Sequence, residues 1–86
     1  MKTIERTQTG LRLERRTLKV LKALAECLDL SLGDLVEGIV LHAFEGKAPF
    51  GEATLKQIAA LKTVYGLDLT AGDAHRLAEE EPDAKR

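Results

Sequence analysis

The sequence predicts a mainly α-helical protein with one short N-terminal strand, stabilised by the association of two copies of the chain. Residues 7–13 alternate between two faces, and three later segments repeat apolar residues at helical spacing. No second strand pattern offers the first one a partner within the chain. The length of 86 residues corresponds to one domain. Residues 1–46 alone could bury little core, which also favours a dimer.

The strand is predicted over residues 7–13. Leu11 and Leu13 lie two residues apart, so a strand would place both on one face. A strand that packs on a core must pair its backbone groups. Two-fold symmetry would pair the strands of two copies in an antiparallel ribbon. The opposite face of each strand would carry Arg6, Gln8, Gly10 and Arg12.

The first two helices are predicted over residues 15–28 and 32–44, separated by a tight turn. The start of the first helix lacks a favoured N-cap, because Glu14 stands there. Ser31 is a good cap for the second helix, and Gly46 is placed to end it. The apolar stripes of strand and helices predict the dimer core: Leu11, Leu13, Leu18, Leu21, Leu24, Ala25, Leu28, Leu32, Leu35, Val36, Ile39 and Val40.

A loop over residues 45–51 divides a first unit, residues 1–46, from a C-terminal helical extension, residues 47–86. Within the extension a third helix is predicted over residues 52–65, ended by Gly66. Thr70 can cap a fourth helix over residues 71–80, and a frayed tail would follow. The extension either enlarges the dimer core or binds a partner protein.

Charge is distributed unevenly along the chain. The net charge is −1, but residues 1–22 hold seven basic and two acidic residues, a net charge of +5, whereas the remainder carries −6. This distribution predicts an N-terminal third that faces nucleic acid. Cys27 is the single cysteine, which fits a reducing compartment. No signal-peptide or membrane-spanning pattern is present, so the expected location is the cytoplasm, without a membrane partner.

The sequence carries no catalytic signature. It contains no glycine-rich phosphate loop and no paired cysteines or histidines at metal-binding spacing. His42 and His75 stand 33 residues apart, and Cys27 has no neighbouring histidine. We therefore expect neither an enzyme nor a bound cofactor or metal.

The alternating TQTGLRL stretch, the LKALAECLDLSLGDLV segment and the capping Ser31 together resemble the ribbon-helix-helix family of DNA-binding proteins, the Arc, MetJ and CopG type. The resemblance covers about half of the chain. It implies an intertwined homodimer whose two-stranded ribbon enters the major groove of DNA. By position, Gln8, Gly10 and Arg12 would contact bases. The amides of Ser31, Leu32 and Gly33 would hold a phosphate, and Arg6, Arg15 and Arg16 would support the DNA backbone. The chain departs from the family at Asp29, where many members have Gly.

The expected function is therefore sequence-specific DNA binding by a homodimeric transcriptional regulator, most simply a repressor. One alternative is an antitoxin that binds its toxin through residues 47–80. Another is a dimeric interaction module without DNA binding, an alternative motivated by Gly10 and the small net charge.

Overall fold

The computed structural model describes residues 1–79, in which all regular secondary structure is helical. The elements are α1 (Arg15–Cys27), α2 (Leu32–Phe44), α3 (Glu52–Tyr65) and a short 3₁₀ helix (Ala71–Asp73). Helices α2 and α3 have the bounds predicted from the sequence, and α1 ends one residue earlier than predicted.

The predicted strand is wrong. Residues 1–14 form neither helix nor strand, and the side chains of residues 1–13 are all exposed. The ribbon-helix-helix fold, with its intermolecular ribbon and intertwined homodimer, is therefore not the fold found for this chain. A strand is held by the ladder of a neighbouring strand, and no described segment supplies one. Gly10 further weakens any extended pairing. We refer to residues 1–13 as the N-terminal arm.

Glu14 caps α1, although Glu is not a favoured residue at this position. Its carboxylate accepts hydrogen bonds from the backbone N–H of Thr17 at 2.7 Å and from the Thr17 hydroxyl at 2.8 Å. It also accepts one from Nε of Arg16 at 3.1 Å. These bonds lower the pKa of Glu14 to about 2, with the backbone N–H of Thr17 as the largest cause. The longer Glu side chain thus performs the role that Ser or Asp usually performs.

All three α-helices end in the same hydrogen-bonded motif. At the end of α1, the N–H of Leu30 donates to the carbonyl of Ala25 at 2.9 Å, and the N–H of Asp29 donates to Glu26 at 3.2 Å. The residue in the left-handed conformation is glycine after α2 and α3, namely Gly46 and Gly66, but it is Asp29 after α1, at φ +59°. In the turn that follows, the Ser31 hydroxyl caps α2 by accepting from the N–H of Asp34 at 3.1 Å.

Helix α1 forms the centre of the fold, because it packs against both α2 and α3, while α2 and α3 do not pack against each other. Leu24 and Ala25 of α1 and Leu35 of α2 are buried together. Val20 is also buried, although its position was not included in the predicted core. The half-buried residues packed around this cluster are Leu21, Leu28, Ile39, Phe50, Ile58 and Leu61.

The fourth predicted helix is reduced to the 3₁₀ helix. At its start, the backbone N–H of Thr70 donates to the Asp73 carboxylate at 2.9 Å. The chain then leaves the helix at Ala74, and His75 adopts φ +67°. Leu77, a large apolar residue in this segment, is 53% exposed, so little burial is available to extend the helix. The tail predicted at the C-terminus lies outside the described residues.

Within residues 1–79, no helix combines the length and the apolar character needed to cross a lipid bilayer.

Candidate nucleic-acid interface

A row of three cations runs along the solvent-exposed side of α1. Arg15, Lys19 and Lys22 are all exposed, and their i, i+4, i+7 spacing keeps them within about 60° of the helix circumference. The row is about 10 Å long at the 1.5 Å rise of an α-helix. In the part of the chain that the structure describes, none of the three forms an ion pair. We call these residues the basic stripe.

Lys19 and Lys22 are the members of this surface that the sequence-based site omitted. Both lie on the exposed side of α1, next to Arg15. The spacing of the three residues is itself a readable signal, because residues four and seven positions apart share a helical face. Glu26, one further turn along, ends the row.

The three other arginines of the predicted site are paired with carboxylates. Nη2 of Arg6 lies 2.8 Å from Oε1 of Glu37 and 3.4 Å from Oδ1 of Asp34, both on α2. The hydrogen bond to Glu37 is the largest cause of the raised pKa of Arg6. Nη2 of Arg12 lies 2.8 Å from Oε1 of Glu79.

Arg16 connects the start of α1 to the end of α3. Its Nη1 donates to the carbonyl of Gly66 at 2.8 Å and lies 3.1 Å from Oδ1 of Asp68, while its Nε donates to Glu14. The hydrogen bond to Glu14 is the largest cause of the raised pKa of Arg16. Arg16, predicted as a DNA-backbone contact, therefore has an intramolecular structural role in this fold.

The predicted base-contacting residues Gln8, Gly10 and Arg12 lie in the exposed N-terminal arm. Residues of the arm, α1 and α2 together line an open groove of about 680 Å³, whose lining includes Gln8, Leu11, Leu13, Leu18 and Val36. Gln8, Gly10 and Arg12 therefore lie in one segment with solvent access.

The predicted phosphate anchor lies at the N-terminus of α2. Ser31 is the N-cap, Gly33 is exposed and Leu32 is half-buried. A helix N-terminus favours an anion. Here Asp34, in the first turn of α2, already brings a carboxylate to this end of the helix. The anchor stays a prediction.

One side of α2 is apolar and, within residues 1–79, is not covered by another helix. Val40 is 37% exposed, Leu41 is 63% exposed and Phe44 is 79% exposed. With Ile4 and Val36, Val40 and Leu41 line a second groove of about 320 Å³. We call Val36, Val40, Leu41 and Phe44 the outer face of α2.

The residues of the predicted dimer core differ in their burial. Leu24, Ala25 and Leu35 are buried, Leu11, Leu13 and Val40 are exposed, and Leu18, Leu21, Leu28, Leu32, Val36 and Ile39 are half-buried.

The remaining candidates for site chemistry are dispersed. Among residues 1–79, no three His, Cys, Asp or Glu side chains are grouped so that they could hold a metal ion. The His42 ring hydrogen-bonds through Nδ1 to the carbonyl of Gly38, one turn back on α2, at 2.7 Å. Cys27 is exposed.

Helix α3 packs on α1 of its own chain, so this part of the extension belongs to the fold. Binding of a toxin by residues 47–80 stays a prediction.

No family model matches the chain, and no curated protein or solved structure is significantly similar to it.

Proposed function

We propose that this protein binds double-stranded DNA and regulates transcription, most simply as a repressor. The observation that carries the proposal is the basic stripe, three exposed cations on one face of α1 that directly follow the basic N-terminal arm. Side chains that neutralise phosphates release counterions from DNA, and this release supplies most of the sequence-independent affinity. Because the excess of basic over acidic residues lies within residues 1–22, the small net charge does not oppose such binding.

The dimensions of the stripe suit a DNA backbone. Successive phosphates of one strand are spaced about 3.4 Å apart along the axis of the duplex. The stripe is about 10 Å long, and its flexible side chains can reach neighbouring phosphates of one strand. A helix lying along the backbone in this way would position the protein, while base edges would be contacted by other residues.

The N-terminal arm supplies side chains that can read bases. Arg pairs with guanine and Gln with adenine through two hydrogen bonds, and Gln8 and Arg12 are both exposed in the arm. Arg12 would first leave Glu79. Both side chains of this pair are well exposed, at 83% and 60%, and exposed ion pairs are weak. The pair is therefore a small obstacle to a base contact.

We further propose that the active species is a homodimer that associates through the outer face of α2. A compact chain of 9.4 kDa is expected to expose about 5,000 Å², whereas this chain exposes 7582 Å². Much of the additional surface belongs to the exposed N-terminal arm, and the outer face of α2 adds apolar surface that a second copy could cover. The radius of gyration, 15.0 Å, likewise exceeds the value of about 12 Å for a compact domain of this length.

Two copies of one chain normally associate with two-fold symmetry. A symmetric dimer would present two basic stripes and two arms to DNA, and its preferred site would be a pair of inverted half-sites. We place this function in the cytoplasm, where the single cysteine, exposed Cys27, would stay reduced.

The proposal is tested with Lys19→Ala/Lys22→Ala. These substitutions leave the arm and the core unchanged and remove two charges of the stripe. The matched control, Lys47→Ala/Lys56→Ala, changes the net charge equally at exposed positions outside residues 1–22. Binding to a random duplex is measured by fluorescence anisotropy at low salt. We expect at least about a tenfold loss for the stripe variant and a smaller change for the control. Equal affinities of the two variants would contradict the proposed interface.

A further inference from the structure

The N-terminal arm is held on the protein by the side chains of Arg6 and Arg12. The proposed function assigns Arg12 to a base, and Arg6 is predicted from the sequence to contact the DNA backbone. Within residues 1–79, the side-chain hydrogen bonds between the arm and the rest of the fold come from Arg6 and Arg12. Arg6 makes two of them, to Asp34 and Glu37 on α2. We call Arg6, Asp34 and Glu37 the clasp.

We propose that the clasp is autoinhibitory: Asp34 and Glu37 occupy the Arg6 guanidinium in place of a DNA phosphate and hold the arm on α2 until DNA displaces it. This inference deepens the proposed function and rests on it. Under this inference, Asp34 and Glu37 regulate the affinity for DNA, and they have no other role in the interface.

The geometry of the clasp allows Arg6 to exchange its two carboxylate partners for a phosphate. Both carboxylates approach the same nitrogen, Nη2, at 2.8 Å and 3.4 Å, so the guanidinium does not present its two-pronged edge to either. The side chains are exposed, at 60% for Arg6, 55% for Asp34 and 48% for Glu37. Water and salt therefore screen the pairs. A phosphate can accept two parallel hydrogen bonds from the same arginine, which the clasp does not provide.

The position of the two acids adds to their effect. Asp34 stands in the first turn of α2, beside the exposed Gly33. A helix N-terminus attracts an anion, but a carboxylate already present there repels a phosphate that approaches. The acids thus oppose DNA in two ways, because they engage Arg6 and because they add negative charge where the arm meets α2.

The test compares Asp34→Asn/Glu37→Gln with a charge-matched control, Asp29→Asn/Glu52→Gln. The control residues are exposed, and in the described part of the chain neither forms an ion pair. Each pair of substitutions is also made in the Arg6→Ala background. Two quantities are measured for every variant. One is the affinity for a random duplex by fluorescence anisotropy, and the other is the ¹⁵N heteronuclear NOE of Thr7 and Gln8 without DNA.

We expect the clasp variant to bind about three- to tenfold more tightly than the control. This gain should be clearly smaller in the Arg6→Ala background, where only the repulsion between the two acids and phosphate is left to relieve. The NOE values of Thr7 and Gln8 should fall in the clasp variant, because the arm is released. If the wild type binds DNA and the clasp variant binds no more tightly than the control, the inference is wrong while the proposed function stands. Unchanged NOE values would also overturn it. If neither wild type nor clasp variant binds DNA at low salt, the proposed function and the inference both fail.

Discussion

Replacing Glu14 by Gln should destabilise the protein at neutral pH and should have little effect in acid. The ionised carboxylate caps α1 through two bonds from Thr17 and one from Arg16, and it is 26% exposed. Its pKa is lowered from 4.5 to about 2. A shift of this size corresponds to about 3 kcal/mol of linked stability at most. Solvent screening reduces this value, and measured N-cap substitutions cost roughly 0.5–2 kcal/mol. We therefore expect a loss of about 1–2 kcal/mol in the free energy of unfolding.

The direction of the pH dependence follows from the lowered pKa. Because the folded protein holds the carboxylate ionised, the contribution of Glu14 is complete above the pKa of the unfolded chain, near 4.5. It is lost as the pH falls through this value towards about 2, where the folded-state carboxyl also protonates. The difference between wild type and variant should therefore shrink between about pH 5 and pH 2.

The assay is urea unfolding followed by circular dichroism at pH 7 and at pH 2.5, with Glu52→Gln as control. Glu52 lies in the first turn of α3, whose N-cap, Gly51, makes no side-chain cap bond. The control should change the unfolding free energy by less than about 1 kcal/mol at either pH. An effect of Glu14→Gln that is equally large at pH 7 and pH 2.5 would refute the capping role of the carboxylate.

Three further outcomes are expected. Asp29→Gly should raise the free energy of unfolding by about 0.5–1 kcal/mol, because Asp29 adopts φ +59°; a loss of stability in denaturant unfolding would contradict this. Leu24→Ala should cost about 2–5 kcal/mol, because Leu24 is 2% exposed, whereas Val64→Ala, at a position 72% exposed, should cost far less. Val40→Asp should shift sedimentation equilibrium towards the monomer, and Val64→Asp should not; a dimer retained in both would exclude the outer face of α2.

The helices could be predicted because their signals are local. Helical spacing of apolar residues, the Ser31 cap and the terminal Gly46 and Gly66 are all properties of a few neighbouring residues. The same reasoning missed Val20, since the predicted stripe assumed one buried side of α1. Helix α1 contacts helices on two sides, and its buried arc is correspondingly wider than one stripe.

The strand prediction failed because a strand is stable only beside a second strand, which local sequence does not reveal. Alternation over residues 7–13 describes which side chains would share a face, but it does not provide a second strand. Similarly, the pairing of Arg6 with Asp34 and Glu37 joins positions about thirty residues apart, and no spacing rule indicates it. The basic stripe, by contrast, needed only the helical period and could have been found from the sequence.

The most direct test of DNA binding by the basic stripe is the salt dependence of duplex affinity between 50 and 200 mM salt. Because three cations of each chain face phosphates, raising the salt over this range should weaken wild-type binding about 40-fold per chain. Only one of these cations is left in Lys19→Ala/Lys22→Ala, so the same rise in salt should weaken its binding only about three- to fourfold. This pair of slopes is the predicted result. A wild-type affinity that does not change with salt, or a variant with the wild-type slope, would contradict binding of DNA by the stripe.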